Sequence, residues 1–180
     1  MNNLTRIKKV SKNFHLMFSV LLIGIPLYYV VYWAFLNYFP ATLIAVNVGS
    51  NSLIPNHLSF ALRFVGFIIC LLPLSALIYG IINIRKLFSF YQEGVIFSFE
   101  HVKLFKRTSK ALILWVFLSI LYESTKSILF SIGNPPGQRV VSIGFGFPEF
   151  ITLVVAGIVF VIAWVMDEGR IISEEQQLTV

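Results

Sequence analysis

Charged residues are scarce in this sequence. Asp, Glu, Lys and Arg together make up 12% of the 180 residues, whereas a soluble domain carries about 25%. Hydrophobic residues make up 57%, and the mean hydropathy is +0.83. The few charges lie in short segments between long apolar runs. This pattern excludes an ordinary soluble domain and predicts a chain whose solvent is the lipid bilayer.

Residues that could carry catalysis or hold a metal are also few. The one cysteine, Cys70, lies within an apolar run, which excludes a disulfide framework and a cysteine-based metal site. The histidines His15, His57 and His101 fall in segments assigned below to opposite sides of the membrane, which argues against a shared metal site. The sequence has no Gly-rich phosphate loop, HExxH motif or nucleophile elbow. We therefore predict no enzyme activity, no catalytic residues, no metal and no cofactor.

Four apolar runs are long enough to cross a membrane. A helix needs about 20 residues, at ~1.5 Å rise per residue, to cross the ~30 Å hydrocarbon core. The sequence therefore predicts an all-α integral membrane protein, a four-transmembrane-helix bundle that forms a single membrane domain over residues 1–180. Its two helical hairpins have the same orientation. The predicted spans are residues 14–36, 61–84, 111–132 and 149–166.

The basic residues predict how the spans are oriented. Eleven of the fourteen lie in residues 1–13, in the connector 85–110 or in the tail 167–180. The other three are Arg63, Lys126 and Arg139. By the positive-inside rule, we expect a multi-pass membrane protein with both termini and the connector 85–110 in the cytoplasm. Basic residues beside the membrane, instead of on an independent domain, argue against nucleic-acid binding.

Residues 37–60 and 133–148 form the two predicted outer loops. The first has no charged residue, and both alternate apolar and small types in a way that is typical of extended chain. We expect the two loops to pack on each other over the outer mouth of the bundle as a small sheet.

One short connector occurs twice. Residues 93–100 read EGVIFSFE, residues 168–175 read EGRIISEE, and five of the eight positions are identical. In each copy a glycine (Gly94 or Gly169) stands where a helix turns off in the left-handed conformation. A serine (Ser98 or Ser173) then stands where the next helix would be N-capped. We interpret both copies as a device that ends one helix and begins another, although few residues follow the second copy.

The predicted cytoplasmic face carries two sets of candidate contact residues. A protein partner, from the cytoplasm or the membrane, would meet the two connector copies. The candidate docking residues are Glu93, Gly94, Ser98, Glu100, Glu168, Gly169, Arg170, Ser173, Glu174 and Glu175. The helix after the first copy also has a basic face at headgroup level, where anionic lipid would attract it. Its residues are Lys103, Lys106, Arg107 and Lys110.

A few charges fall within or beside the spans. Glu123 and Lys126 lie at i, i+3 on the third span and can pair on one face. Arg63 and Glu149, at the outer ends of the second and fourth spans, could join them. Charges at such depth are costly and often functional, so the four residues form a candidate intramembrane polar site. The alternatives are a structural salt-bridge network or helix ends that simply leave the membrane.

Two stretches resemble a known family. The connector GVIFSFEHVKLFKR and the ending EGRIISEEQQLTV, with four spans over most of the chain, are similar to bacterial membrane proteins of the family called domain of unknown function 2975. Members end in a similar way, often with Asn or Asp before the Leu, where Gln176 and Gln177 stand here. The resemblance implies the four-span topology and a location in the bacterial cytoplasmic (inner) membrane, and it implies no activity. Some members are encoded beside small helix-turn-helix regulators, which implies a membrane partner for a cytoplasmic protein.

Two hypotheses on function remain open at this point. In the first, the chain is a non-enzymatic interaction or regulatory protein that docks a partner through its connector and tail. In the second, it is a small transporter, channel or export-complex subunit that uses Arg63, Glu123 and Lys126. Either form could assemble as a homo-oligomer.

Overall fold

Four long helices build the protein. The computed structural model describes residues 3–44, 46–48, 51–53, 55, 57–95 and 98–178. All four helices are long and apolar enough to cross a membrane, which confirms the predicted all-α, four-span architecture. They are α1 (Asn3–Ala34), α3 (Phe60–Glu93), α4 (Phe99–Ser131) and α5 (Phe147–Leu178).

The segment between α1 and α3 holds the short elements. A 3₁₀ turn (Leu36–Tyr38) and one turn of helix, α2 (Ala41–Ile44), precede an antiparallel pair of strands, β1 (Val46–Val48) and β2 (Asn51–Leu53). Asn37 fixes this segment to the start of α3, because its Nδ2 donates to the Leu58 carbonyl at 3.0 Å and its Oδ1 accepts from the Leu58 N–H at 3.1 Å.

The close helix packing runs between neighbours in chain order. α1 packs on α3, α3 on α4, and α4 on α5. The apolar window of α3 is 39% buried and that of α4 is 28% buried, against 0% in α1 and 11% in α5. Large apolar side chains such as Ile23 on α1 and Val165 on α5 are therefore left on the outside, as expected where lipid is the solvent.

The two ends of the bundle have different chemistry. The basic end contains the start of α1, the turn between α3 and α4, and the end of α5. The loop end contains the two long connections. At the loop end, the Trp33 indole lies on Gly66, where a Cβ atom would overlap the ring, and it meets the Phe130 ring edge-on at 6.5 Å. Because Gly66 has no side chain, α1 and α3 can approach closely at this point.

The predicted sheet between the two loops was wrong. Both strands belong to the first loop, and residues 133–146 of the second loop form no strand. The physical reason is that the second loop bonds to serine hydroxyls of α4, as in the 2.9 Å bond from the Ser142 N–H to the Ser127 Oγ.

The first connector copy is the predicted turn. Gly94 ends α3 with a φ of 89°, and the Val95 N–H bonds the Phe90 carbonyl at 3.1 Å, the pattern of a Schellman cap. Ser98 caps α4, since its Oγ accepts from the His101 N–H at 3.4 Å. Ile96 and Phe97 lie outside the described residues.

The second connector copy is helical, contrary to our interpretation. α5 continues through Gly169 and Ser173 to Leu178, so neither residue ends or caps a helix. Arg170 and Asp167 lie one helical turn apart and form an ion pair at 3.3 Å. An i, i+3 pair of this kind stabilises a helical backbone, so it supports the helix across Gly169.

Candidate functional site

Asp167 connects α5 to α4 at the basic end. Its carboxylate accepts from the Lys106 Nζ at 3.2 Å and from the Arg170 Nη2 at 3.3 Å. The Arg170 guanidinium also lies over the Phe99 ring at 5.4 Å, which brings the start of α4 into the same cluster. Lys106 was predicted as a lipid contact, and Asp167 was missing from the predicted set. The i, i+3 spacing of Asp167 and Arg170 in the sequence could have indicated this ion pair.

The other predicted lipid contacts lie on the surface of α4. Lys103 pairs with Glu100 at 3.0 Å and lies over the Phe99 ring at 4.3 Å. Both charged side chains of this pair are more than a third exposed, so the pair adds little stability. Arg107 and Lys110 are exposed. All four basic residues lie on the part of α4 that precedes the predicted third span. Two of them, Lys103 and Lys106, form ion pairs.

The last two turns of α5 project from the basic end. The Arg170 guanidinium lies over the ring of Phe99, the first residue of α4, and α5 continues for eight residues after Arg170. At ~1.5 Å per residue this arm, residues 171–178, is about 12 Å long, and the apolar part of α5 ends within it, at Ile172. Ile171 and Ile172 on it are 40% and 48% exposed. The side chains of Ser173 and Glu174 lie outside the described part.

The turn between α3 and α4 lies at the same end. Glu93 and Glu168 are exposed, and the Lys8 side chain of α1 lies against Gly94. The Gln92 Nε2 donates to the Ser11 carbonyl at 3.5 Å. The structure thus places both connector copies at one end of the bundle, as the docking prediction requires, although only the first copy is a turn.

His101 fixes the turn, a role that sequence reasoning missed. Its imidazole is fully buried, its Nδ1 is 2.6 Å from the Ser98 Oγ, and its ring lies 4.9 Å from the Tyr91 ring. The available signal was its position three residues after a serine that caps a helix. A buried histidine in this place links the end of α3 to the start of α4.

Lys126 occupies a polar pocket at the loop end, in the C-terminal half of the predicted third span. Its Nζ is 3.6 Å from a Glu123 carboxylate oxygen, and its side chain is 12% exposed. The ammonium lies over the rings of Tyr32 at 5.5 Å, Tyr122 at 5.9 Å and Phe130 at 5.6 Å. A cation held by three aromatic faces is stabilised without full hydration.

The predicted four-residue polar site is divided among three places. Glu123 and Lys126 are together, but the Arg63 Nη1 donates to the Ala34 carbonyl at 2.6 Å, where it ties α3 to the end of α1. The Glu149 carboxylate accepts from the Gly146 N–H at 2.8 Å and caps the start of α5. Arg63 and Glu149 therefore bind the backbone at the ends of helices. The exact positions of these helix ends could not be predicted from the sequence.

A cavity of about 170 Å³ adjoins the Glu123–Lys126 pair. The Tyr32 hydroxyl is buried there and has no hydrogen-bond partner among the described residues. The volume exceeds the ~30 Å³ that one water occupies in the liquid. Within the described ranges, no three His, Cys, Asp or Glu residues are grouped as a metal site would require. The lining residues are Tyr28, Tyr29, Tyr32, Leu43, Tyr122, Glu123 and Lys126.

A family match covers both candidate sites. Residues 16–180 match the family model described as "protein of unknown function (DUF2975)". The chain belongs to the DUF2975 family. This finding confirms the resemblance noted in the sequence, and the match includes the pocket at the loop end and the arm at the basic end. No curated protein and no solved structure matches the chain. The DUF2975 description contains no activity.

Proposed function

We propose that this DUF2975 protein is a non-enzymatic protein of the bacterial cytoplasmic membrane that docks a protein partner at its basic end. Eleven of its fourteen basic residues lie at that end, which supports an orientation with both termini in the cytoplasm. Anionic lipid headgroups would contact the exposed Arg107 and Lys110. The partner would be a cytoplasmic or membrane protein that regulates, or is regulated through, this membrane anchor.

The projecting arm of α5 carries this proposal. Residues 171–178 continue as helix after Arg170, with two adjacent, exposed isoleucines, Ile171 and Ile172. Asp167 holds the base of the arm to Lys106 on α4. A helix that leaves the membrane and presents apolar side chains on a fixed base is suited to binding in a partner's groove.

Photo-crosslinking in native membranes tests docking at this arm. A photoreactive residue in place of Ile171 should give one discrete protein adduct, and Ile172→Asp in the same chain should reduce its yield at least fivefold. The matched control is the same photoreactive residue at Val161, an exposed position in the apolar part of α5, where lipid and no protein should be captured. Absence of an adduct at Ile171, or an adduct that Ile172→Asp leaves unchanged, would contradict docking.

A second candidate function is a small transporter, channel or export-complex subunit that uses the loop-end pocket. The observation that favours it is the Lys126 ammonium, almost removed from solvent and beside a cavity with an unpartnered Tyr32 hydroxyl. Ionisable groups at such depth commonly mark substrate or ion paths. Arg63, separated from the pocket, would have no direct part in this function.

Ion flux into proteoliposomes tests the second candidate. Protein-dependent flux should disappear with Lys126→Met and with Glu123→Gln. The control is Lys103→Met, which removes a lysine whose ion pair lies on the surface, and which should leave flux unchanged. Flux that is absent, or that Lys103→Met and Lys126→Met reduce equally, rejects the pocket as a transport site and leaves docking as the remaining function.

A further inference from the structure

Residues 140–145 form a segment, neither helix nor regular strand, that lies along α4. Its residues alternate between two faces, as in a β-strand, and the 3.0 Å bond from the Phe145 N–H to the Ile143 carbonyl closes a tight turn at its end. Val140, Ser142 and Gly144 are partly buried, whereas Val141, Ile143 and Phe145 are 68%, 76% and 53% exposed. The outward face of the segment is therefore made of large apolar side chains.

The inward face follows a regular register on α4. The Val140 N–H donates to the Ser131 Oγ at 3.2 Å, and the Ser142 N–H donates to the Ser127 Oγ at 2.9 Å. Two residues of extended chain advance ~6.8 Å and four residues of helix advance ~6 Å, so the two periods match. Both serines are almost fully buried. Their hydroxyls satisfy backbone groups of a segment that has no partner strand within the described chain.

The same register continues one turn further, at Glu123. Gly144 lies on the Glu123 side chain so closely that a Cβ atom at residue 144 would overlap the Glu123 Cβ. Glu123 is seven residues before Phe130, which packs on Trp33 at the level of the loop end. The segment therefore descends about 10 Å along α4 from that level. α5 begins only afterwards, at Phe147.

The outward face of the segment is continuous with the apolar outside of α5. Phe147, Phe150 and Ile151 in the first turns of α5 are exposed, and residues 140–148 contain no charged side chain. α5 is itself a candidate membrane span. If lipid did not cover the outward face of residues 140–146, water or a protein partner would have to cover it. The rest of the exposed side of α5 faces lipid.

We propose that residues 140–146 are inserted in the bilayer and complete the fourth membrane crossing as non-helical chain before α5 begins. Val141, Ile143 and Phe145 contact lipid acyl chains. Ser131 and Ser127 accept hydrogen bonds from the Val140 and Ser142 N–H groups, so these two backbone donors are satisfied by protein and need no water, as backbone at membrane depth requires. This inference rests on the membrane architecture and holds under either proposed function.

Spin-label accessibility measures the environment of the segment directly. Single cysteines at Val141, Ile143 and Phe145, in a Cys70→Ala background, are labelled and reconstituted in phosphatidylcholine–phosphatidylglycerol vesicles. Collisions with oxygen report lipid, and collisions with a water-soluble nickel chelate report water. The oxygen-to-nickel ratio should equal that of a label at Ile151 and exceed that of a label at Arg139 at least fivefold. A ratio equal to that of Arg139 means an aqueous loop, and exclusion of both reagents means coverage by protein, for example a second copy; either overturns the proposal.

A glycine pair tests whether the register on α4 holds the segment at depth. Gly144→Ala should increase nickel collisions at the Ile143 label severalfold, because the added Cβ displaces the segment from Glu123. Gly133→Ala is the matched control, since no atom lies within 4 Å of its added Cβ, and it should change nothing. An equal response to both variants, or no response to Gly144→Ala, would show that these contacts do not set the depth.

Discussion

The two copies of the connector share five of eight residues but adopt different structures. Residues 93–100 form a left-handed glycine cap, a turn and a new N-cap, whereas residues 168–175 lie within one continuous helix. The shared Gly, Ser and Glu residues are therefore permissive signals: they allow a turn but do not impose one. The contacts around each copy decide which structure forms.

The residues that differ between the copies explain the outcome. Copy two has Asp167 and Arg170 where copy one has Gln92 and Val95, and this pair forms its 3.3 Å contact across one turn of helix. Gln92 instead bonds the Ser11 carbonyl, and Val95 closes the Schellman cap on Phe90. α4 then packs back along α3 and buries His101, which stabilises the turn.

The glycines should give the largest difference between the copies. Gly94→Ala places a Cβ on a left-handed residue and should lower the free energy of unfolding by about 1–2 kcal/mol. Gly169→Ala adds a better helix former with open space around its Cβ and should raise it by about 0.5–1 kcal/mol. Unfolding in a denaturing-detergent titration measures both. If the two variants shift stability in the same direction, the contrast between the copies is wrong.

The serines should give a smaller difference. Ser98→Ala removes the N-cap of α4 and its bond to His101 and should cost about 1 kcal/mol. Ser173→Ala, within a helix, should change stability by about 0.5 kcal/mol or less, in the favourable direction. The same detergent titration compares them. Equal losses would indicate that Ser173 also caps a helix.

Asp167→Asn should give the smallest change in global stability. Its ion pairs are partly exposed and screened by solvent, so the loss should be the smallest of the three. The local effect should be larger, because the arm loses its tie to Lys106 and Arg170. Amide hydrogen exchange in residues 171–178 should become severalfold faster, while exchange in α4 stays unchanged. Glu168→Gln, an exposed neighbour without a described ion pair, is the control and should leave both rates as they were.

The sequence predicted the features that depend on composition and on strong local signals. Four apolar runs specified four spanning helices, and the αL glycine at residue 94 with a serine four residues later specified the first turn. The spacing of the serines on α4 did not predict that Ser127 and Ser131 would bind the second loop. These hydrogen bonds join residues nine and fifteen positions apart, beyond the reach of a local sequence pattern.

The candidate sites were predictable only in part. The i, i+3 spacing brought Glu123 and Lys126 together correctly, since it depends on one helix alone. Arg63 and Glu149 are on other helices, and their places depend on helix ends that hydropathy does not fix to within a turn. The aromatic cage of Lys126 draws on α1 and α4, so no local pattern could reveal it.

Two matched distances test most directly whether the second copy is helix and the first is a turn. Spin labels at Ile158 and Glu175 and labels at Ile82 and Phe99 are both 17 residues apart, in a Cys70→Ala background. Pulsed electron paramagnetic resonance should give about 26 Å between backbone positions in α5. Across the Gly94 turn it should give about 17 Å, because α4 returns alongside α3. Equal distances in the two pairs would contradict the account, and with it the projecting arm on which the docking proposal depends.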